Sequence, residues 1–340
     1  MNNLTKKNKD KLIKLGLKKI NNEINLSWKK IGELFNIEGE QARQIVKSYR
    51  YQNKEVKGKY EKGKLKFLIL SDLHVPDHDE ETILKVITEN KYVDVIILNG
   101  DIIDCKAVSS FNDQDISILD SELLQTYWLL KKIRAITSAK IILVKGNHEQ
   151  RVNREYAKKA KTLGTALVET EILYKLANGF KITFGECGET LEYKPLKNVY
   201  YTNSRSFVYG DLIVNHPSNF SKIPMRTVTN IYDGKLKDKY PNSRVCIIGH
   251  THQAGILFRE NNVVLIEDGC MCHNLSYAEK DDRPTLQQQL GYVYLEMKNG
   301  KVLNESIKLT YLGVTTDKYK NKRFNLDDLF KDDEPIETDD

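Results

Sequence analysis

Five short polar motifs in this chain gather side chains suited to holding metal ions: Asp72-Leu73-His74, Gly100-Asp101-Ile102-Ile103-Asp104, Gly146-Asn147-His148-Glu149, His216, and Gly249-His250-Thr251-His252. Seven histidines occur in the 340 residues, and all but His78 and His273 fall inside these motifs. Imidazole and carboxylate donors in combination suit Mn2+, Fe or Zn2+. The donors Asp72, His74, Asp101, Asn147, His216, His250 and His252 outnumber what one tetrahedral site takes. They suffice for two ions bridged by a shared carboxylate. Two such ions, about 3.5–4 Å apart, clamp an in-line displacement at phosphorus. Alone, Asp72 or Asp101 reads as a cap or turn carboxylate, and His216 before Pro217 as a polar loop residue. Their order along the chain is what points to a shared centre.

Each motif directly follows a short apolar run, at 65–70, 93–98, 140–144, 211–215 and 245–248. Helix-like stretches at 80–90 and 121–135 intervene, so the texture predicts a layered α/β domain with buried strands. Ligands at strand ends converge when the strands lie side by side, because α/β folds place their sites at the carboxyl ends of strands. The motif glycines permit tight turns and close backbone approach. Further strands are expected at 263–267, 291–297 and 305–311, with Asn299-Gly300 as a hairpin-type turn between the last two.

In order and spacing these motifs resemble the calcineurin-like metallophosphoesterase superfamily, in its compact phage and bacterial type. The pattern DxH, GDxxD, GNHE, H, GHTH is complete over residues 72–252, and the domain-level likeness extends over 65–312. The resemblance implies an α/β fold, a four-layer α-β-β-α sandwich, here preceded by a small all-α domain. It implies that Asp72, His74 and His252 bind one ion, that Asn147, His216 and His250 bind a second, and that Asp101 bridges them. His148 would face the scissile phosphate rather than a metal, protonating the leaving oxygen or stabilising phosphoryl charge. Asp104 would fix the tautomer of that imidazole. A metal-bridging hydroxide would be the nucleophile. The cofactors implied are two divalent ions, Mn2+ first, with Fe, Zn2+ or Ni2+ as alternatives.

Outside this domain the charge is uneven. Residues 1–64 hold 17 Lys/Arg against 7 Asp/Glu, whereas 325–340 hold one Lys against 8 Asp/Glu. A basic head suits a polyanionic partner or is a solvated Lys-rich surface. Residues 6–21 read as an amphipathic helix carrying Leu12, Ile13, Leu15, Leu17 and Ile20. Ser27 is a candidate N-cap for a helix over 28–35, with Trp28, Ile31, Leu34 and Phe35 on one face. After a turn at 36–39, a third helix turns Ala42, Ile45, Val46 and Tyr49 inward and Arg43, Lys47 and Arg50 outward. Residues 26–50 resemble a helix-turn-helix DNA-binding module, and a docking or purely structural bundle fits the same pattern. The expected division is a helical domain at 1–52, a linker at 53–64, the phosphoesterase domain at 65–312 and a charged, disordered tail at 313–340. No apolar run is long enough for a membrane span, and no secretory signal is evident. The five scattered cysteines suit reduced thiols, so a cytoplasmic location is expected, the host cytoplasm if the chain is phage-encoded.

These motifs define the reaction class better than the substrate. Protein phosphatases of the superfamily carry Arg-Gly after the second motif, whereas Cys105-Lys106 stands here. The basic head favours a phosphodiesterase or nuclease acting on DNA. The alternatives are a phosphomonoesterase or nucleotide phosphodiesterase with an unrelated adaptor, and a DNA-binding regulator on an inactive scaffold. Arg151 is a candidate for meeting a substrate phosphate, and Arg154 reads as a solvated helix residue. The long segment 149–215 is expected to form a wall or lid that sets substrate choice. Cys270-Met271-Cys272-His273 looks like a metal-binding fragment without a second ligand pair and reads as buried thiols.

Overall fold

A computed structural model describes residues 6–20, 25–52, 64–108, 118–159, 171–184, 188–275 and 287–315. Most of the expected linker, and the tail from 316 onward, lie outside the described residues. The chain divides into two compact units, Met1–Gly63 with Thr202–Ser204, and Lys64–Tyr201 with Arg205–Asp340.

The first unit holds α1 (Lys6–Ile20), α2 (Trp28–Glu33) and α3 (Gly39–Gln52). Leu12, Ile31, Ala42 and Val46 are fully buried at its centre. Ser27 caps α2, its Oγ accepting the Lys30 N–H at 3.1 Å. Ile31 is buried and Trp28 and Phe35 half-buried, but Leu34 is 63% exposed. The helix ends at Glu33, and Leu34 falls at the rim of the apolar face rather than within it. Arg43 points to solvent, whereas the side chains of Leu17, Ile20, Lys47, Tyr49 and Arg50 lie outside the description.

The second unit runs through β1 (Lys64–Leu70), α4 (Glu80–Glu89), β2 (Val95–Asn99), α5 (Leu119–Ile136), β3 (Lys140–Val144), α6 (Glu149–Lys159), α7 (Ile172–Asn178), β4 (Phe180–Phe184), β5 (Glu189–Tyr193) and β6 (Val199–Tyr201). It continues with β7 (Ser206–Tyr209), β8 (Leu212–Asn215), α8 (Arg226–Ile231), a π-helical turn Tyr232–Leu236, α9 (Lys237–Lys239), β9 (Val245–Ile248), β10 (Ala254–Arg259), β11 (Val263–Asp268), β12 (Gln289–Lys298), β13 (Lys301–Val302) and β14 (Lys308–Val314). The first sheet has the order β13-β12-β1-β2-β3-β6, with β14 also on β12, and the second β10-β11-β9-β8-β7. β1, β2, β3 and β6 are parallel to one another, as are β8, β9 and β11.

Four layers result from the two-residue period of the strands. Leu68, Leu70, Ile96, Leu98, Ile141 and Leu143 pack outward with Ile83, Ile87, Leu130, Ile133 and Leu173 of α4, α5 and α7. On the second sheet, Ile213, Cys246, Ile248 and Leu265 pack outward under Val228, Tyr232 and Leu236. The alternate positions, among them Phe67, Ile69, Ile97, Val214 and Ile247, are also buried and face the gap between sheets. There the Phe67 and Tyr209 rings lie 6.1 Å apart. Because both faces are covered, the central strands read as unbroken apolar runs. Cutting a fully buried member such as Ile97 back to Ala costs about 2–5 kcal/mol.

Several boundaries differ from the sequence expectation. β2 starts at Val95, because Asp94 turns back to β1, its carboxylate accepting the Lys66 N–H at 2.8 Å. Residues 304–306 form a 3-10 turn, so the expected strand at 305–311 is replaced by the later β14. Asn299 and Gly300, at φ 52° and 74°, join β12 to the short β13. No described helix is long and apolar enough to cross a membrane.

Candidate metal centre

All seven candidate ligands follow the C-terminal ends of parallel strands. Asp72 and His74 follow β1, Asp101 follows β2 and Asn147 follows β3 in the first sheet. His216 follows β8, and His250 and His252 follow β9, in the second. The sheets are tied at this edge. The Asn99 amide donates to the Asn215 carbonyl at 3.3 Å, and His216 Nδ1–H donates to the Asn99 carbonyl at 2.7 Å.

The turns that carry these residues are strained. Asp72, His74, Asp101, His250 and His252 have φ of 53°, 49°, 46°, 76° and 52°. Each side-chain-bearing residue held there costs of order 1–3 kcal/mol and persists only where its surroundings over-determine it. Here they do. The Asp72 N–H donates to the Gly100 carbonyl at 3.2 Å, and the His74 N–H to the Asp101 carbonyl at 2.9 Å. The His250 N–H donates to Asp72 Oδ2 at 2.8 Å. Glu149 is buried, and its carboxylate accepts the N–H groups of Gly146, Asp101, Ile102 and Ile103 at 2.8, 3.2, 2.7 and 3.3 Å. It straps the turn after β2 to the turn after β3. Close approach explains two motif glycines. A Cβ on Gly146 would lie 2.1 Å from Asp101 Oδ1, and one on Gly100 would lie 2.4 Å from the His216 ring.

Two groups of donors form within the centre. Asp72, His74 and His252 make one, and Asp101, His216 and His250 the other. His252 Nε2 lies 3.2 Å from both Asp72 Oδ1 and His74 Nε2. His216 Nε2 lies 3.2 Å from Asp101 Oδ2 and from Asn147 Oδ1. Since His74 Nδ1 faces Asp104 Oδ1 at 2.7 Å and His216 Nδ1 donates to a carbonyl, their Nε2 atoms are the ones turned to the centre. There these nitrogens crowd one another and the carboxylate oxygens, an arrangement that either protons or metal cations must neutralise. Donors at about 2.0–2.1 Å from one ion sit about 3 Å apart, which these separations match. The residues fit the ions implied by the sequence.

Electrostatics agree. Burial would raise the Asp72 carboxyl, but His252 and His216 beside it hold it far below the usual range. Asp101 behaves likewise, burial being overcome by His148 and His216. Burial disfavours a charged His74, yet its bonds to Asp104 and Asp72 push it up to about 9. Burial opposes and the charges of Asp101 and Asp72 raise His216, also to about 9. Burial and the neighbouring His216 push His250 down to about 4.

His148 lies beside the donors, its Nε2 3.6 Å from Asp101 Oδ2. Asp104 holds two imidazoles rather than one: its Oδ1 is 2.7 Å from His74 Nδ1 and 2.8 Å from His148 Nδ1. Arg151, on α6, places Nη2 2.7 Å from His148 Nε2 and Nη1 3.2 Å from the Asp104 carbonyl. With Nδ1 turned to Asp104, Nε2 is the nitrogen that meets Arg151.

Four contributions escape a reading of the sequence. Glu149 stands in the third motif, but its partners are backbone amides of another loop. Asp268 is buried, pushed up by that burial, and accepts the hydroxyl of Ser71, next to Asp72, at 2.7 Å. Arg205 bonds Gln150, and its guanidinium is lowered by burial and by nearby Arg154, while Asp101 and Glu149 act oppositely. Phe220 is 59% exposed with its ring 5.8 Å from that of His250. Only Glu149 carried a signal, its place in a ligand motif. The expected wall at 149–215 comprises α6, α7, the β4–β5 hairpin, β6, β7 and β8, with 160–170 and 185–187 outside the described residues.

Two layered sheets with ligands at their shared carboxyl edge define a metal-dependent phosphoesterase architecture. The family model of calcineurin-like phosphoesterases matches residues 65–264, and the chain belongs to that family. Among solved structures the chain is similar to an archaeal phosphodiesterase, at 15% identity over 73% of this chain and 100% of that one, with a TM-score of 0.36. It is also similar to a predicted phosphoesterase from Streptococcus pneumoniae TIGR4, at 13% identity over 73% and 98%, with a TM-score of 0.28. A third is zinc-complexed Vps29 from Entamoeba histolytica, at 13% identity over 73% and 99%, with a TM-score of 0.32. No curated protein matches the chain.

Proposed function

We propose that this chain hydrolyses phosphodiesters at a dinuclear metal centre and that its substrate is nucleic acid, DNA foremost. The observation that carries the reading is the pair of donor groups, Asp72, His74 and His252 beside Asp101, His216 and His250, with His148 alongside. Asp72, His74 and His252 would hold one ion and Asn147, His216 and His250 the other, Asp101 lying between. Mn2+ is the first candidate, since mixed imidazole and carboxylate donors accept it, with Fe, Zn2+ or Ni2+ as alternatives. Such ions, when bound, supply Lewis acidity and an activated water at neutral pH.

The protein's own groups do the rest. Asp104 orients His148 through Nδ1, leaving Nε2 directed at the reacting phosphate. Arg151 occupies that atom now, and a phosphoryl oxygen is a stronger attractor for its guanidinium than an imidazole nitrogen. As Arg151 moves to phosphate, His148 Nε2 is free to take a proton from water and pass it to the leaving oxygen. Arg205, near Asp101, adds a second cation for phosphate.

Phe220 supports a nucleotide-bearing substrate. An exposed ring beside a ligand histidine offers a face on which a base can stack, worth about 1–3 kcal/mol per base. The basic 1–64 segment, read as a helix-turn-helix-like module, would raise local DNA concentration.

The test is an assay of the Mn2+-loaded protein on a chromogenic phosphodiester, a chromogenic phosphomonoester, and single- and double-stranded DNA. Turnover of the diester and of DNA is expected. Monoester turnover alone would replace the reading with a phosphomonoesterase, and DNA retention without any turnover would replace it with a binding protein.

A further inference from the structure

Cys270-Met271-Cys272, a fragment the proposed chemistry does not use, meets its missing partner from another strand. That partner is not the adjacent His273 but His252, which follows β9. The three donor atoms, two sulfurs and an imidazole nitrogen, lie within 4.8 Å of one another, and all three residues are buried. The sulfurs are in contact with each other, and Cys270 contacts the His252 ring. The backbone around them is fixed. Gly269 turns at φ 84°, Cys270 bridges to Leu290, and Cys272 bridges to His78.

His252 has two nitrogens, and only one is engaged at the phosphoesterase centre. Its Nε2 faces Asp72 and His74, so Nδ1 is the nitrogen left to meet a sulfur. An imidazole whose two nitrogens face different donor groups can serve two ions at once. The donor chemistries differ sharply. The phosphoesterase centre is all nitrogen and oxygen, whereas this group is two-thirds sulfur, and thiolates select soft cations. Donors bound at about 2.0–2.3 Å to one such ion lie about 3–4 Å apart, within the spread already present.

We propose that Cys270, Cys272 and His252 form a third metal site, for a thiophilic cation, Zn2+ or Cu+. Binding displaces one proton from each thiol and, where His252 already serves the first centre, the remaining N–H proton of its imidazole, so two sulfur–metal bonds and one nitrogen–metal bond form and three protons leave, with no change in oxidation state. Neither sulfur belongs to the dinuclear donor set, and His252 is the residue that the two groups share.

Cadmium is the probe, since thiolate binding gives an ultraviolet sulfur-to-cadmium charge-transfer band that oxygen and nitrogen donors do not. The reduced, Mn2+-saturated protein is titrated with Cd2+. A band that saturates at one equivalent is expected. It should vanish in the Cys270→Ser/Cys272→Ser variant and persist in Cys187→Ser and Cys246→Ser. Competition then separates the two candidate ions, the one that erases the band at lower free concentration being the better occupant. No band, or a band retained in the double variant, overturns the proposal. Should the double variant not fold, X-ray absorption at the zinc edge of the zinc-loaded wild type decides. Sulfur around part of the zinc is expected, and a purely nitrogen and oxygen shell overturns the site. Failure of the dinuclear reading would appear instead as absent Mn2+ binding with the cadmium band in place.

Discussion

His148 sits where one imidazole meets a carboxylate on one nitrogen and a guanidinium on the other. That arrangement separates rate from metal retention. His148→Ala should keep its ions, measured by metal analysis, and lose about 10²–10⁴-fold in turnover, the usual scale for an acid or base. Unaltered turnover would remove this residue from the chemistry. The candidate ligand histidines make a different prediction. His74 and His216, at about 9 without metal, carry protons at neutral pH that a cation must displace. Ion binding should therefore release protons below pH 9. Apparent affinity should climb with pH while these imidazoles are protonated and level off above about 9. Calorimetry in buffers of different ionisation enthalpy measures the release, and a pH-independent affinity would contradict it.

At the scale of strands and turns, the site depends on how closely backbones approach. Gly146→Ala would push a methyl group into Asp101. The variant should bind metal at least tenfold more weakly, by metal titration, while its circular dichroism stays native. Normal affinity would show that the turn yields freely. Elements of this kind were legible in the sequence to different degrees. The strands preceding the five motifs were plain, because parallel strands covered on both faces are unbroken apolar runs. β5, β7 and β10 were not, being partly exposed strands of mixed polarity. The candidate ligands were picked out from residue type and order. The strap made by Glu149 and the double grip of Asp104 were not, because each depends on which distant groups the fold brings within 3.3 Å. Cys270 and Cys272 likewise looked isolated until β9 delivered His252 beside them. Leu34 was misplaced because helical spacing says nothing about where a short helix stops.

On the scale of the whole chain, the basic N-terminal segment makes the substrate proposal testable apart from the chemistry. Deleting residues 1–58 should weaken DNA binding and flatten its salt dependence while sparing small chromogenic diesters, as expected when phosphate contacts are lost. An unchanged salt slope would disconnect that segment from nucleic acid. The same scale governs stability. Asp72, His74, Asp101 and Asn147 follow strands of one sheet, and His216, His250 and His252 follow strands of the other. Chelation should lower the melting temperature by several degrees, since each site filled at a hundredfold excess over its Kd adds about 2.7 kcal/mol to the folded state. A scan unaffected by chelator would argue against resident ions. The pair of ions would act as rivets through two plates that otherwise adhere by apolar contact and a few amide bonds. Pulled or heated without them, the plates should part first at the edge that carries the candidate ligands, ahead of the rest of the fold.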